Sequence, residues 1–246
     1  MKLLVVGGAG TVGTLVCPIM AEQHSLRVVD MNVPTYDGVE FLQGDVNDPD
    51  CLLKGAEGMD ALVYMAMGAS NLWRDPHHSA LARASHFDVN VKGLYLALLA
   101  AHTHGIKQAV YTSSMSVYAR NAAGRYMSDE DLTPDATHVY GFTKRLGEEV
   151  CRNAVREWGM DVNALRLFLP VDDQKWLAEV PEGNPKIWTT ASDTARAILA
   201  ALEYRAGFQA ITISGDYDQK YMSLAKAKRC LGWEPLARPK VGSALE

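Results

Sequence analysis

The chain has 246 residues, 48% of them hydrophobic, enough to bury a substantial core, and its length suits one α/β domain with at most a small appendage. Its net charge is -5 and its 24 Lys and Arg are scattered, which excludes the basic footprint of a nucleic-acid partner. No stretch approaches the roughly 18 apolar residues of a membrane span and no long apolar leader follows Met1, so a cytoplasmic protein without membrane insertion is expected.

In chain order, "KLLVV" (Lys2 to Val6) is a strand-like run, followed by glycines and by a helical pattern from Thr11 to about Gln23 that contains Pro18, a residue expected to kink it. "LRVVD" (Leu26 to Asp30) is the next strand, which completes a βαβ unit. Further strands are expected at "VEFLQGD" from Val39, "DALVYMA" from Asp60, "QAVYTSS" from Gln108, "DVNALRLF" from Asp161 and "AITISG" from Ala210. Helices are expected over about Ser79 to His104, His138 to Trp158, Ser192 to Tyr204 and Ser223 to Leu231. This alternation predicts an α/β, Rossmann-type doubly wound fold with a mostly parallel sheet covered on both faces. Cys17, Cys51, Cys151 and Cys230 are far apart and have no metal-like spacing with His, so they read as reduced thiols packed as small hydrophobes, and no metal is expected.

Gly7, Gly10 and Gly13 lie where a strand turns into a helix. There a tight turn, close backbone approach and exposed helix N–H groups suit a dinucleotide pyrophosphate. Asp30 ends the second strand, where a carboxylate can accept both ribose hydroxyls and would repel a 2′-phosphate; this points to NAD over NADP. The spacing is G-x-x-G-x-x-G and not the commoner G-x-G-x-x-G.

Over nearly its whole length the chain resembles an extended short-chain dehydrogenase/reductase of the NAD-dependent epimerase/dehydratase family. "GGAGTVG" resembles the family's glycine motif, "GDV" at Gly44 its adenine-contacting Asp and neighbour, and "DVNVKG" at Asp88 the helix carrying Asn90. "TSSMSVYA" at Thr112 resembles the strand bearing the catalytic Ser or Thr, and "YGFTK" at Tyr140 its Y-x-x-x-K pair. "LRLFLP", "SDTARAILAALE" and "LGWEP" complete the order. The resemblance implies a cofactor site of Gly7, Gly10, Thr11, Val12, Gly13, Asp30, Asp45, Val46, Ala66, Asn90, Thr112, Tyr140 and Lys144.

Tyr140 and Lys144 lie four apart on an expected helix, so both side chains emerge on one face. An ammonium beside the phenol, with the positive nicotinamide ring, is expected to lower the Tyr140 pKa toward neutrality, so that Tyr140 takes a proton from a substrate hydroxyl while hydride leaves the carbon. Ser114 would hydrogen-bond the same oxygen. The catalytic set is therefore Ser114, Tyr140 and Lys144, with Lys144 also holding the nicotinamide ribose as in the family.

Two departures bear on the reaction. Tyr64 stands where family members often carry His, and Met115-Ser116 stands where the sugar-nucleotide dehydratases carry Asp-Glu, which argues against water elimination. The region between "LRLFLP" and "SDTARAILAALE" is short, and with Pro18 and "WTTASD" it resembles the uronate dehydrogenases, a subgroup that oxidises free sugar acids with NAD. One domain over 1–246 is expected, in which segments of about 167–191 and 214–246 form a small C-terminal substrate-binding part. Ser70, Ser114 and Lys175 are the substrate candidates, with Asn71 beside Ser70 and with Arg166 as a second candidate for a substrate carboxylate. "NLWRDPHH" and "NAAGRYM" read as loops over the pocket, and His77 with His78 forms no convincing metal site.

Three readings stand at this point. The first is an oxidoreductase on a small sugar, sugar acid or polyol; the second an epimerase with retained NAD; the third a regulatory NAD-binding protein, against which the Tyr/Lys pair argues. The helix "GLYLALLAAHTHG" and the Tyr140 helix resemble the pair that forms a four-helix dimer interface in the family, so a homodimer is expected.

Overall fold

The structure, a computed structural model, describes residues 1–68, 79–119, 132–179 and 187–238. Side-chain alternation in the first strand decides the architecture: in β1 (Lys2–Val6), Leu3 and Val5 enter one hydrophobic cluster while Leu4 and Val6 enter another. Both faces are thus buried, which a parallel sheet between two helical layers requires.

The chain then runs through α1 (Thr11–Ala21), β2 (Ser25–Asp30), β3 (Glu40–Gln43), α2 (Pro49–Ala56), β4 (Ala61–Tyr64), α3 (Ser79–Phe87), α4 (Leu94–Thr103), β5 (Gln108–Ser114) and α5 (Val139–Trp158). It continues through β6 (Asp161–Leu167), β7 (Pro170–Val171), α6 (Asp173–Glu179), β8 (Thr189–Thr190), α7 (Ala191–Glu203), β9 (Phe208–Ile213) and α8 (Ala225–Leu231). The main sheet has the order β3-β2-β1-β4-β5-β6-β9, with every neighbouring pair parallel. The expected doubly wound fold is therefore present. Helices α1 and α7 pack on the Leu3 and Val5 face, and α2, α4 and α5 on the other. Strand order reverses between β1 and β4, so a crevice opens beyond their C-terminal ends.

Local differences from the expected elements have physical causes. The helix expected over Ser79 to His104 is divided by a π-helical turn at Asp88–Gly93, which turns Asn90 fully inward. α1 continues through Pro18, which lies on its exposed side, so the lost backbone bond does not break the helix. α2 and α6 are additional, and so is the two-stranded β7-β8 sheet. Asp48 caps α2 by accepting bonds from the Asp50 and Cys51 amides, with Pro49 in the first turn. Trp233 packs in the core on α7, where its indole donates to the Asp193 carbonyl at 2.9 Å.

Candidate active site

The turn after β1 is drawn tight against the start of α1 and the end of β4. Gly7 has φ of 87°, and a Cβ there would lie 2.3 Å from the Ala66 nitrogen; a Cβ on Gly13 would lie 2.2 Å from the Gly8 oxygen. Only glycine allows both approaches. α1 starts with no capping side chain and no acidic residue in its first turn, whereas α2, α5 and α7 are capped by Asp48, His138 and Thr190. Its first amides are therefore left to an anion. Thr11 is exposed and Val12 half-buried beside this opening.

Asp30 takes the Ala9 amide on one carboxylate oxygen and the Asn32 amide on the other, both at 2.9 Å, which fixes the carboxylate at the edge of the glycine turn. Tyr36, which sequence reasoning missed, braces the same turn from beneath: its hydroxyl donates to the Gly8 carbonyl at 2.8 Å and also pairs with the Cys17 thiol. Burial pushes that thiol up to about 11, so Cys17 stays protonated. Along the crevice, Asp45 is exposed and holds Asn47 through two bonds, Val46 is buried, and Ala66 is half-buried beside Gly7.

Ser114, Tyr140 and Lys144 come together at the junction of β5 and α5. The Ser114 oxygen accepts the Ser116 amide at 3.0 Å, which leaves its proton for Tyr140, and the two side chains share a hydrogen bond. The Lys144 ammonium, 3% exposed, lies 6.0 Å from the Tyr140 ring centroid and donates to the Thr112 carbonyl at 2.8 Å. Thr112 is held in turn by its hydroxyl bond to the Tyr64 carbonyl. Burial lowers the Lys144 pKa from 10.5 to about 7. Burial raises that of Tyr140, which the Ser114 bond opposes. Among the protein groups, desolvation of the phenolate outweighs the hydrogen bond; the lowering expected from the sequence includes the positive charge of the nicotinamide ring.

Asn90 stands one layer behind. Its oxygen accepts the Gly68 amide at 3.2 Å, and its nitrogen donates to Thr143 at 2.9 Å and lies 3.2 Å from His86 Nδ1. Thr143 donates to the Tyr140 carbonyl at 3.0 Å. The Asn90 amide is spent on protein groups, so it acts by joining the end of β4 to the Tyr140 turn. His86 is fully buried edge-on to the Tyr140 ring, and His138 stacks beside it.

The substrate candidates divide. Lys175 is not brought into the buried group: it lies exposed on α6, 3.9 Å from Glu179 on the next turn. Arg166 is buried and holds Glu148 with two bonds, so it is no carboxylate anchor. Ser70, Asn71, His77, His78 and the "NAAGRYM" segment lie outside the described residues.

Residues 3–171 match the model of the NAD dependent epimerase/dehydratase family. The chain belongs to that family. Among its relatives is the L-arabinose 1-dehydrogenase (NAD(P)(+)) of Haloferax volcanii, 25% identical over 95% of this chain and 96% of that one. Its fold is similar to a short-chain dehydrogenase/reductase superfamily protein from Agrobacterium tumefaciens with bound NAD, at a TM-score of 0.78 and 22% identity, covering 97% of this chain and 93% of that one. It is also similar to a mutated uronate dehydrogenase, at a TM-score of 0.76 and 20% identity, covering 96% and 82%.

The cofactor of this family is NAD, and the residues present fit it. The glycine cradle that a Cβ would fill, the uncapped α1 N-terminus and the Asp30 carboxylate suit the pyrophosphate and a ribose diol. Tyr36→Phe is expected to weaken NAD binding about 3–10-fold, the worth of one neutral hydrogen bond, with turnover at saturation unchanged. Titration of intrinsic fluorescence with NAD measures this, and an unchanged affinity would remove Tyr36 from the cofactor site.

Proposed function

We propose that the protein is an NAD-linked oxidoreductase acting on a hydroxyl or carbonyl of a small sugar or sugar acid, with Tyr140 as general acid/base. The observation that carries this reading is the Ser114–Tyr140 hydrogen bond beside the buried Lys144 ammonium, at the crevice end of the sheet that also holds the glycine turn. Bound NAD supplies the hydride acceptor and a positive ring. Ser114 orients the substrate oxygen, and Tyr140 takes its proton during oxidation or returns it during reduction. Lys144, held at about 7, steadies the phenolate by its charge and can exchange the proton at neutral pH.

The segments of about 167–191 and 214–246 are proposed as the substrate-binding part. Met115 just after Ser114 packs with Phe168, Ile187, Tyr221 and Met222, which draws both segments to the end of β5. Asp30 favours NAD over NADP, because its carboxylate would face a 2′-phosphate. A homodimer is proposed through α4 and α5, where Tyr95 and Phe142 are exposed apolar side chains on neighbouring helices.

The test is net NADH formation with purified protein, NAD and a panel of free sugar acids, aldoses and polyols. Accumulation of NADH on one of them supports the dehydrogenase. Interconversion of a sugar without net NADH, with NAD retained through purification, would replace it by an epimerase.

A further inference from the structure

Three successive residues of β5 meet one face of α5. Thr112 receives the Lys144 ammonium on its carbonyl at 2.8 Å, the Ser113 hydroxyl donates to Glu148 Oε1 at 2.7 Å, and Ser114 shares a bond with Tyr140. Tyr140, Lys144 and Glu148 follow at intervals of four on the helix, so they stand in one row. Glu148 is 2% exposed. It is held in turn from β6: Arg166 Nε donates to its Oε1 at 2.9 Å and Nη2 to its Oε2 at 2.8 Å, while Arg166 Nη1 donates to the Tyr118 hydroxyl at 2.6 Å.

A carboxylate this deep needs paired donors, and here it has three. On the proposed reading of Tyr140 as acid/base, we infer that Glu148 is a positioning residue: it locks α5 to β5 in register and keeps the Lys144 ammonium charged beside Tyr140.

The groups around Lys144 favour this role. Tyr111 from β5 lies with its ring centroid 4.9 Å from Nζ, Tyr140 and Cys151 lie on α5 itself, and His86 approaches from α3. Burial raises the Tyr111 and Tyr140 hydroxyls, so without bound NAD neither is a fixed anion beside Lys144; burial and Glu148 push the Cys151 thiol up, and His86 is held toward its neutral form. Against the burial of Lys144, the Cys151 sulfur and then the Glu148 carboxylate favour the ammonium; because burial and Glu148 keep Cys151 a neutral thiol, Glu148, ion-paired with Arg166, is the carboxylate that acts on it. Sign follows directly: without that charge the ammonium is less favoured, and its titration moves to lower pH.

Two variants test this. Glu148→Gln keeps an acceptor for Ser113 but strands the Arg166 guanidinium, which can cost folding; Glu148→Gln with Arg166→Met removes both charges and protects the fold. The Lys144 ε-carbon resonance, assigned with a Lys144→Met sample, reports its titration without any turnover. In Glu148→Gln the midpoint is expected to fall by about one unit, and in the double variant, where the Arg166 cation is removed as well, by less in the same direction, with the alkaline limb of the kcat/KM profile moving with it. Glu148→Asp, which keeps the charge, should restore both. An unchanged midpoint, or a uniform fall in kcat/KM with the limb in place, would overturn the inference. A midpoint that falls in a protein unable to reduce NAD with any substrate would uphold the electrostatic role and overturn the oxidoreductase reading.

Discussion

Replacing Lys144 by Met is expected to abolish most activity while making the fold more stable. The activity loss should be roughly 10²–10⁴-fold in kcat/KM, the usual worth of a group that sustains proton transfer. The stability gain follows from burial. The Lys144 pKa falls from 10.5 in the open chain to about 7 in the fold, so between those values the unfolded chain holds a proton that the folded one has released. Stability from this group thus rises with pH across that window, and the full cost of burying the charge is present below about 7. Methionine fills similar space without that cost, and Glu148 keeps Arg166 as its partner. The gain should be on the order of 2 kcal/mol, or about 4–8 °C in Tm, below neutral pH and should fade toward about pH 10. Melting curves of both proteins across that range check it. A variant less stable at every pH would mean that the Thr112 bond outweighs the desolvation cost.

Gly7→Ala should do the reverse, costing stability and cofactor together. The φ of 87° at Gly7 is costly for an L side chain, and the added Cβ would meet Ala66 backbone atoms at 2.3 and 2.4 Å. Backbone on both sides leaves no flexible group to yield. Left-handed strain and overpacking together should cost about 2–4 kcal/mol, and β1 must move from the β4 end just where the pyrophosphate would rest. Thermal unfolding should drop by about 5–15 °C, with NAD affinity falling in parallel. A variant with the parent's melting temperature would contradict the close approach of these segments.

What the sequence discloses depends on how local the cause is. β1 and β4 are apolar on both faces, so they read as buried parallel strands from composition, while β2 and β5 carry shorter apolar cores at Val28-Val29 and Ala109-Tyr111. Tyr140, Lys144 and Ser114 are legible through their resemblance to the family's Y-x-x-x-K pair and Ser/Thr strand in the right order, and the four-residue spacing on a helix adds that Tyr140 and Lys144 share one face. α2 escapes because its eight residues make only about two turns, too short for an amphipathic pattern to stand out; Asp48 with Pro49 at its start is the cue that marks it. The π-helical turn at Asp88–Gly93 breaks a helix whose pattern reads as continuous, and it places Asn90 in the hydrogen-bond network of the site, between Gly68 and Thr143, as the family resemblance implies.

Tertiary causes are the least legible. Tyr36 lies in an irregular stretch after β2 whose path no periodicity fixes. Glu148 and Arg166 meet only because β6 turns Arg166 toward α5, and Arg166, which looked available to a substrate carboxylate, is consumed there. The desolvation felt by Tyr140 is likewise a property of burial, which a Y-x-x-x-K spacing does not contain.

The most direct test of the central claim is the rate of NADH formation when NAD-loaded wild-type protein and Tyr140→Phe are each mixed with the substrate identified from the panel, with NAD affinity measured on the same samples. The variant's rate should be lower by roughly 10²–10⁴-fold, with an NAD affinity within about twofold of the parent. A variant that forms NADH at the parent's rate would contradict it, because proton transfer would then lie elsewhere.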